Sequence, residues 1–194
     1  MQYFTRGAWF VTLGTYLGKT LEQSGTFIGF SFSLFGIGAI ISPFFVGMIA
    51  DRFFPTQKVL GVLNIGAGAA MLLLSQVTDP TTFIWTLFVY CIVYTPTEAL
   101  SNSVVFHHLP RRFFAYVRLF GTIGWVFAGL AVNMILGRFV DNVEATAVPL
   151  VMSAVASVVL GLYNFTLPST PVKNEGEKIG VKEVLGLEAL SLLK

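Results

Sequence analysis

Phe27-Ile28-Gly29-Phe30-Ser31-Phe32-Ser33-Leu34-Phe35-Gly36-Ile37-Gly38-Ala39-Ile40-Ile41-Ser42-Pro43-Phe44-Phe45-Val46-Gly47-Met48-Ile49-Ala50 carries no ionisable side chain and ends at Asp51-Arg52. A helix of about 20 apolar residues crosses a bilayer, and inside the hydrocarbon a helix keeps every backbone polar group bonded within its own segment. This stretch therefore predicts a membrane-spanning helix. Working outward, five more segments of the same character run from Tyr3 to Gly18, Val59 to Val77, Phe83 to Phe106, Phe113 to Gly137 and Ala145 to Leu167. The expectation is an all-α polytopic membrane protein with six transmembrane helices in residues 1–167. Arg6 interrupts the first segment, whose true start is open.

Composition agrees with a lipid environment. The 194 residues are 55% hydrophobic and 11% charged, against roughly 25% charged in soluble domains. The 19 Phe and 19 Gly suit lipid-facing rings and close helix contacts. A net charge of +2 is too small to argue for nucleic acid, and the single Cys91 excludes an intrachain disulfide. No basic leader precedes the first apolar stretch, so no cleavable signal peptide is expected. Short connections containing Pro55, Pro80 and Pro110 predict antiparallel neighbours. After Leu167 the chain turns to Pro168-Ser169-Thr170-Pro171 and a charged stretch. Residues 168–194 read as a linker ending in a short amphipathic helix over Val181 to Leu193. With the N-terminus inside, cytoplasmic segments hold Arg52, Lys58, Arg111, Arg112, Lys173, Lys178, Lys182 and Lys194, against Lys19 and Arg138 outside. Eight against two places both termini in the cytoplasm.

The turn Gly47-Met48-Ile49-Ala50-Asp51-Arg52, followed by Lys58, resembles the signature loop of the major facilitator superfamily. Gly47 permits close helix approach, while Asp51, Arg52 and Lys58 form a candidate gating latch or, alternatively, a charged loop end that fixes topology. The family's second glycine and paired basic residues are replaced by Phe53-Phe54-Pro55-Thr56-Gln57. Gly7-Ala8-Trp9-Phe10-Val11-Thr12-Leu13-Gly14-Thr15-Tyr16, Pro96-Thr97 with Asn102-Ser103, and Arg118-Leu119-Phe120-Gly121-Thr122-Ile123-Gly124 look like the nucleoside:proton symporters of that superfamily. The resemblance covers nearly the whole chain. It implies the N-terminal bundle of a major facilitator fold, nucleoside import by proton symport through alternating access, and a bacterial inner membrane. It also implies a C-terminal six-span half, missing here, as partner, without which these 194 residues are expected not to transport. Arg6 departs from the pattern, which has tryptophan or another apolar residue there.

A charge near the bilayer centre costs about 2.5–3.5 kcal/mol on insertion scales, so intramembrane polar residues point to function. At 100° per residue, Arg118, Thr122, Trp125, Gly129 and Asn133 share a stripe on the fifth segment. Tyr94, Thr95, Glu98, Ser101 and Asn102 share one on the fourth, and Thr5, Trp9, Thr12 and Tyr16 one on the first. Either these stripes face a water-filled cavity or they bond helix to helix. The resemblance turns Arg118, Thr122 and Trp125 toward a nucleoside, and Glu98, Asn102 and Trp9 complete the candidate site. Glu98 is also a candidate proton-linked acid, its titration set by burial against the nearby Arg118. Arg118 has a rival reading as a side chain snorkelling to the interface. Glycines 29, 36, 38 and 47 of the second segment and 121, 124 and 129 of the fifth allow backbones to approach or rock.

No Gly-x-Ser-Gly, paired-Asp or His-Glu-x-x-His motif is present, so an intramembrane hydrolase is disfavoured and no cofactor or metal is expected. The remaining alternatives are a stand-alone six-span binding or assembly protein and a transporter of another small polar solute such as a sugar.

Overall fold

The computed structural model describes residues 1–52 and 54–170, with the backbone alone for 43–52. No strand occurs among the described residues. The helices are α1 (Gln2–Phe10), α2 (Leu13–Lys19), α3 (Gly25–Arg52), α4 (Thr56–Leu74), α5 (Pro80–His108), α6 (Phe114–Leu130) and α7 (Val148–Asn164). Four stretches are long and apolar enough to cross a membrane: Gly25–Ser42, Thr56–Leu74, Pro80–His108 and Arg111–Arg138, with α7 a shorter apolar helix.

The first expected span is divided into α1 and α2 at Val11-Thr12. Both residues keep right-handed helical torsions, but the Thr12 N–H and hydroxyl both bond the Trp9 carbonyl three residues back, at 3.2 and 3.1 Å. That shift tightens the turn and interrupts the i→i−4 ladder. The fifth expected span is likewise uneven, ending in a π turn (Ala131–Ile135) and a 3-10 turn (Leu136–Arg138). At the start of α5, Asp79 caps the helix by accepting from the Thr82 N–H at 2.8 Å, with Pro80 in the first turn where its missing N–H costs nothing.

The main packing partners are α1 with α6 and α7, α5 with α3 and α4, and α4 with α7. Exchanging α1 with α5, α3 with α6 and α4 with α7 leaves this set unchanged, which is the pairing an inverted repeat produces.

Small residues make the seams. A Cβ on Gly161 would lie 2.9 Å from the Gly61 carbonyl oxygen, and one on Gly68 2.9 Å from the Ala154 carbonyl, so α4 and α7 touch backbone to backbone. Gly7 meets the Trp125 carbonyl of α6 at 3.1 Å, and Gly38 meets Cys91 of α5 at 3.1 Å. The glycines singled out from sequence divide differently. Gly38 and Gly121 lie in tight contacts, whereas Gly29, Gly36 and Gly129 face open space. The main core gathers Trp9, Leu13, Leu17, Met71, Leu74, Phe83, Leu87, Tyr90 and Tyr94.

Candidate functional site

Arg6 on α1 and Glu98 on α5 form an ion pair, Nη1 to Oε1 at 2.7 Å, with side chains 22% and 28% exposed. The pair joins two stretches 92 residues apart in sequence. The guanidinium carbon sits 5.0 Å from the ring centres of Phe35 on α3 and Trp125 on α6, and 5.9 Å from Phe10. Residues from α1, α3, α5 and α6 thus converge on one cation. Aromatic faces stabilise a desolvated guanidinium, and the carboxylate removes the cost of leaving it unpaired in a low dielectric.

Sequence reasoning assigned Glu98 the neighbour Arg118; the structure gives its ion-pair partner as Arg6. The signal was present, because Arg6 is one of only two cations inside the expected spans and intramembrane charges pair. Arg118 instead lies on the exposed face of α6, its guanidinium carbon 5.9 Å from the Phe114 ring centre. After Arg6 it is the next charge acting on the Glu98 carboxylate.

The α6 stripe stays on one side. Arg118, Thr122 and Asn133 are exposed and Trp125 half-buried, with the Thr122 hydroxyl donating to the Arg118 carbonyl at 3.2 Å. Trp125 lies edge-on to Phe10 at 6.0 Å. On α5, Glu98, Ser101 and Asn102 are half-buried. A cavity of about 520 Å³ lined by Ala99, Asn102, Ser103, Phe106 and His107 continues along that helix.

The α1 stripe differs from a cavity-lining face. Thr5, Trp9, Thr12 and Tyr16 are all buried. Trp9 donates its indole N–H to the Tyr90 hydroxyl at 3.0 Å, and Tyr90 stacks on Tyr94 at 5.3 Å. The Tyr94 hydroxyl in turn donates to the Gln2 carbonyl at 2.9 Å, while Ser153 of α7 donates to the Thr5 carbonyl at 2.7 Å. Thr95 is bonded to Ser42 of α3. Trp9 thus has no donor left for a ligand, and this stripe serves helix-to-helix bonding. The physical reason is reach: a large indole pointing into the bundle has a buried phenol at hydrogen-bond distance, so its polar tip is satisfied without water.

Of the expected gating residues, Lys58 is exposed in the first turn of α4. The side chains of Gly47, Asp51 and Arg52 lie outside the described residues, as does the expected amphipathic helix within 171–194. Residues 168–170 are described. The buried Thr170 donates its N–H to the Gln57 side-chain oxygen at 2.9 Å and its hydroxyl lies 3.3 Å from His108 Nε2. No cluster suited to a metal ion occurs among the described residues.

The chain as a whole is similar to known proteins. The chain is 42% identical over 199 aligned residues to the YegT protein of Escherichia coli (strain K12), covering 100% of this chain and 46% of YegT. It is 34% identical over 200 residues to the xanthosine permease of the same strain, with the same coverage. The crystal structure of the nucleoside transporter NupG superposes with a TM-score of 0.82 at 28% identity, covering 99% of this chain and 47% of that one. The chain spans about half the length of the relatives it matches. The family model described as nucleoside H+ symporter matches residues 1–194, and with the relative at 42% identity it shows that this chain belongs to the nucleoside H+ symporter family.

Proposed function

We propose that this chain is the N-terminal six-span bundle of a transporter that imports nucleosides by proton symport through alternating access. Both of its ends face the cytoplasm of a bacterial cell, and residues 168–194 link the bundle of 1–167 to a second one. The observation that carries this reading is the convergence of charged and aromatic groups from α1, α3, α5 and α6 on one partly open face. A nucleoside offers a flat base with hydrogen-bonding edges and a ribose with hydroxyls. Trp125 supplies a stacking surface, Thr122 a hydroxyl that donates or accepts, and Arg118 five donors in a planar fork. Asn102 adds an amide one turn from Glu98.

Proton coupling follows from the ion pair. A proton taken up by Glu98 neutralises the carboxylate and releases Arg6, so the proton and the guanidinium compete for one acid. Gly47, Asp51, Arg52 and Lys58 act as a latch at the cytoplasmic edge, engaged in one conformation and released in the other. The seams at Gly61, Gly68 and Gly161 hold α4 and α7 together as the bundle rocks.

The test is nucleoside binding and pH-gradient-driven uptake by the complete transporter in proteoliposomes. Arg118→Lys keeps the charge but loses the fork, and is expected to assemble normally with binding lost. Unchanged binding in Arg118→Lys, Thr122→Val and Trp125→Ala alike removes this face from the site. Glu98→Gln is expected to uncouple uptake from the gradient, and intact coupling in that variant places the acid elsewhere.

A further inference from the structure

From Thr82 to Ser101 every hydroxyl on α5 takes part in a hydrogen bond within the protein, beginning with Thr82 on Asp79 and ending with Ser101 on the Thr97 carbonyl. One turn further on the pattern stops. Asn102 and Ser103 are half-buried, and their side chains bond no other described residue. Both line the cavity of about 520 Å³ together with Ala99, Phe106 and His107, a volume within the range of about 300–1,000 Å³ typical of small-molecule sites. At 100° per residue these positions share one side of α5, and they span about 12 Å of it at 1.5 Å per residue. The two neighbouring histidines are used differently. His108 Nε2 lies 3.3 Å from the Thr170 hydroxyl, whereas the exposed His107 lines the cavity and its ring nitrogens bond no described residue. Phe106 is exposed too, with its ring stacked on Phe114 at 4.4 Å, a contact that occupies only one of its faces.

We propose that this cavity is a second nucleoside site, at which the solute rests between the face of Arg6, Glu98 and Trp125 and the cytoplasm. It rests on the nucleoside reading above and adds a release site to it. Phe106 offers a stacking surface to a base, and the Asn102 amide a donor and an acceptor to the base edge. The Ser103 hydroxyl and the His107 imidazole each donate or accept, which suits ribose hydroxyls. No Asp, Glu, Lys or Arg lines the cavity, so a neutral polar solute fits it better than an ion does. Contacts of this kind are favourable enough to draw a solute on and weak enough to let it leave, as any site along a transport path must be. Position completes the case. Asn102 lies one turn from Glu98, so the cavity begins where the charged face ends, and Phe106 and His107 open it toward the end of α5 assigned above to the cytoplasm.

Ser103→Cys places a thiol in the cavity of the complete transporter, in a background whose other reactive cysteines are replaced. Its alkylation by a maleimide is timed in nanodiscs with and without millimolar uridine, adenosine or xanthosine. At least one of these is expected to slow the reaction about fivefold or more, as a ligand at several times its dissociation constant does. Leu109→Cys, exposed beyond the cavity lining, reports motion of the whole region and is expected to stay within about twofold. Adding His107→Ala to Ser103→Cys is expected to raise the half-protecting concentration about threefold or more through a lost hydrogen bond. Adding Phe106→Ala is expected to raise it about fivefold or more through lost stacking. A concentration unmoved in both variants overturns the site, because shielding from the central face or by closure does not depend on these side chains. Where Phe106→Ala is not monodisperse, the exposed His107→Ala decides alone. Equal protection at Leu109→Cys also overturns the site, as does nucleoside binding to the unmodified protein with no protection at Ser103→Cys. These outcomes leave the nucleoside reading standing. Absence of binding by all three nucleosides to the monodisperse unmodified protein overturns that reading and the release site together.

Discussion

Gly161→Ala adds one methyl group at the point where α7 crosses α4. The new Cβ would lie 2.6 Å from Ile65 Cγ1, 2.9 Å from the Gly61 carbonyl oxygen and 3.0 Å from the Ile65 nitrogen. The Ile65 methylene can turn away, but the other two atoms belong to the α4 backbone. The helices must then separate by several tenths of an ångström, loosening contacts along the seam at Gly68, where Ala154 and Val158 approach. Overpacking of this kind costs about 1–3 kcal/mol. Replacing Gly by Ala inside a helix returns about 1 kcal/mol through propensity. Two backbone atoms at 2.9 and 3.0 Å put the overpacking in the upper part of its range, about 2–3 kcal/mol, so the balance is a loss of about 1–2 kcal/mol, roughly a five- to thirtyfold fall in the folded-to-unfolded ratio. Equilibrium unfolding of the protein by titrating denaturing into non-denaturing detergent measures it. Gly29→Ala is the control, because nothing lies within 4 Å of its Cβ, and it is expected to be neutral or slightly stabilising. Gly161→Ala as stable as the unmodified protein, or Gly29→Ala equally damaged, refutes the backbone-contact account of this seam.

Tyr90→Phe removes the acceptor of the buried Trp9 indole N–H and is expected to cost about 1–3 kcal/mol. Adding Trp9→Phe should then cost less than the two changes summed, as read by the same unfolding titration. The Asp79 carboxyl is held below the ordinary aspartate value of 3.8, first by the Thr82 N–H and then by the Thr82 hydroxyl. A depressed carboxyl contributes stability above its unfolded value that is lost as pH falls through the folded one. The protection of the Thr82 amide, its exchange rate relative to the unstructured rate at the same pH, should therefore fall below about pH 4 in the unmodified protein and show no such transition in Asp79→Asn. For topology, Lys58→Cys should resist a membrane-impermeant maleimide in intact cells while Lys19→Cys reacts. The buried Cys91 should stay silent in both, and external labelling at position 58 would overturn the assigned orientation.

The long apolar helices were legible because lipid demands them. Residues 27–42 contain no charge and fall in a single helix, as the composition requires. The break at Val11-Thr12 was not legible, since a threonine bonding three residues back leaves the hydrophobic pattern unchanged. Helical periodicity found the faces but not their partners. It grouped Thr5, Trp9, Thr12 and Tyr16 correctly on one side, yet whether that side meets water or another helix depends on Tyr90 and Ser153, far away in sequence. For the same reason Arg6, the ion-pair partner of Glu98, was not singled out beside Arg118. The side-chain bonds between α1 and α5 form only in the folded bundle, and no local pattern encodes them.

The seams and the polar face fall on different helices, and this division has a mechanical consequence. The α4–α7 contact is made of glycine and alanine backbones at van der Waals distance, a surface with little room for water or for sliding. The charged face is built by α1, α3, α5 and α6, whose cross-links include an ion pair and cation–π contacts. Those interactions respond to a proton or a ligand, whereas a glycine seam does not. A charge change at Glu98 therefore acts first on the positions of α1, α3, α5 and α6 relative to one another. In the alternating-access mechanism proposed above, the α4–α7 seam is the reference against which they move.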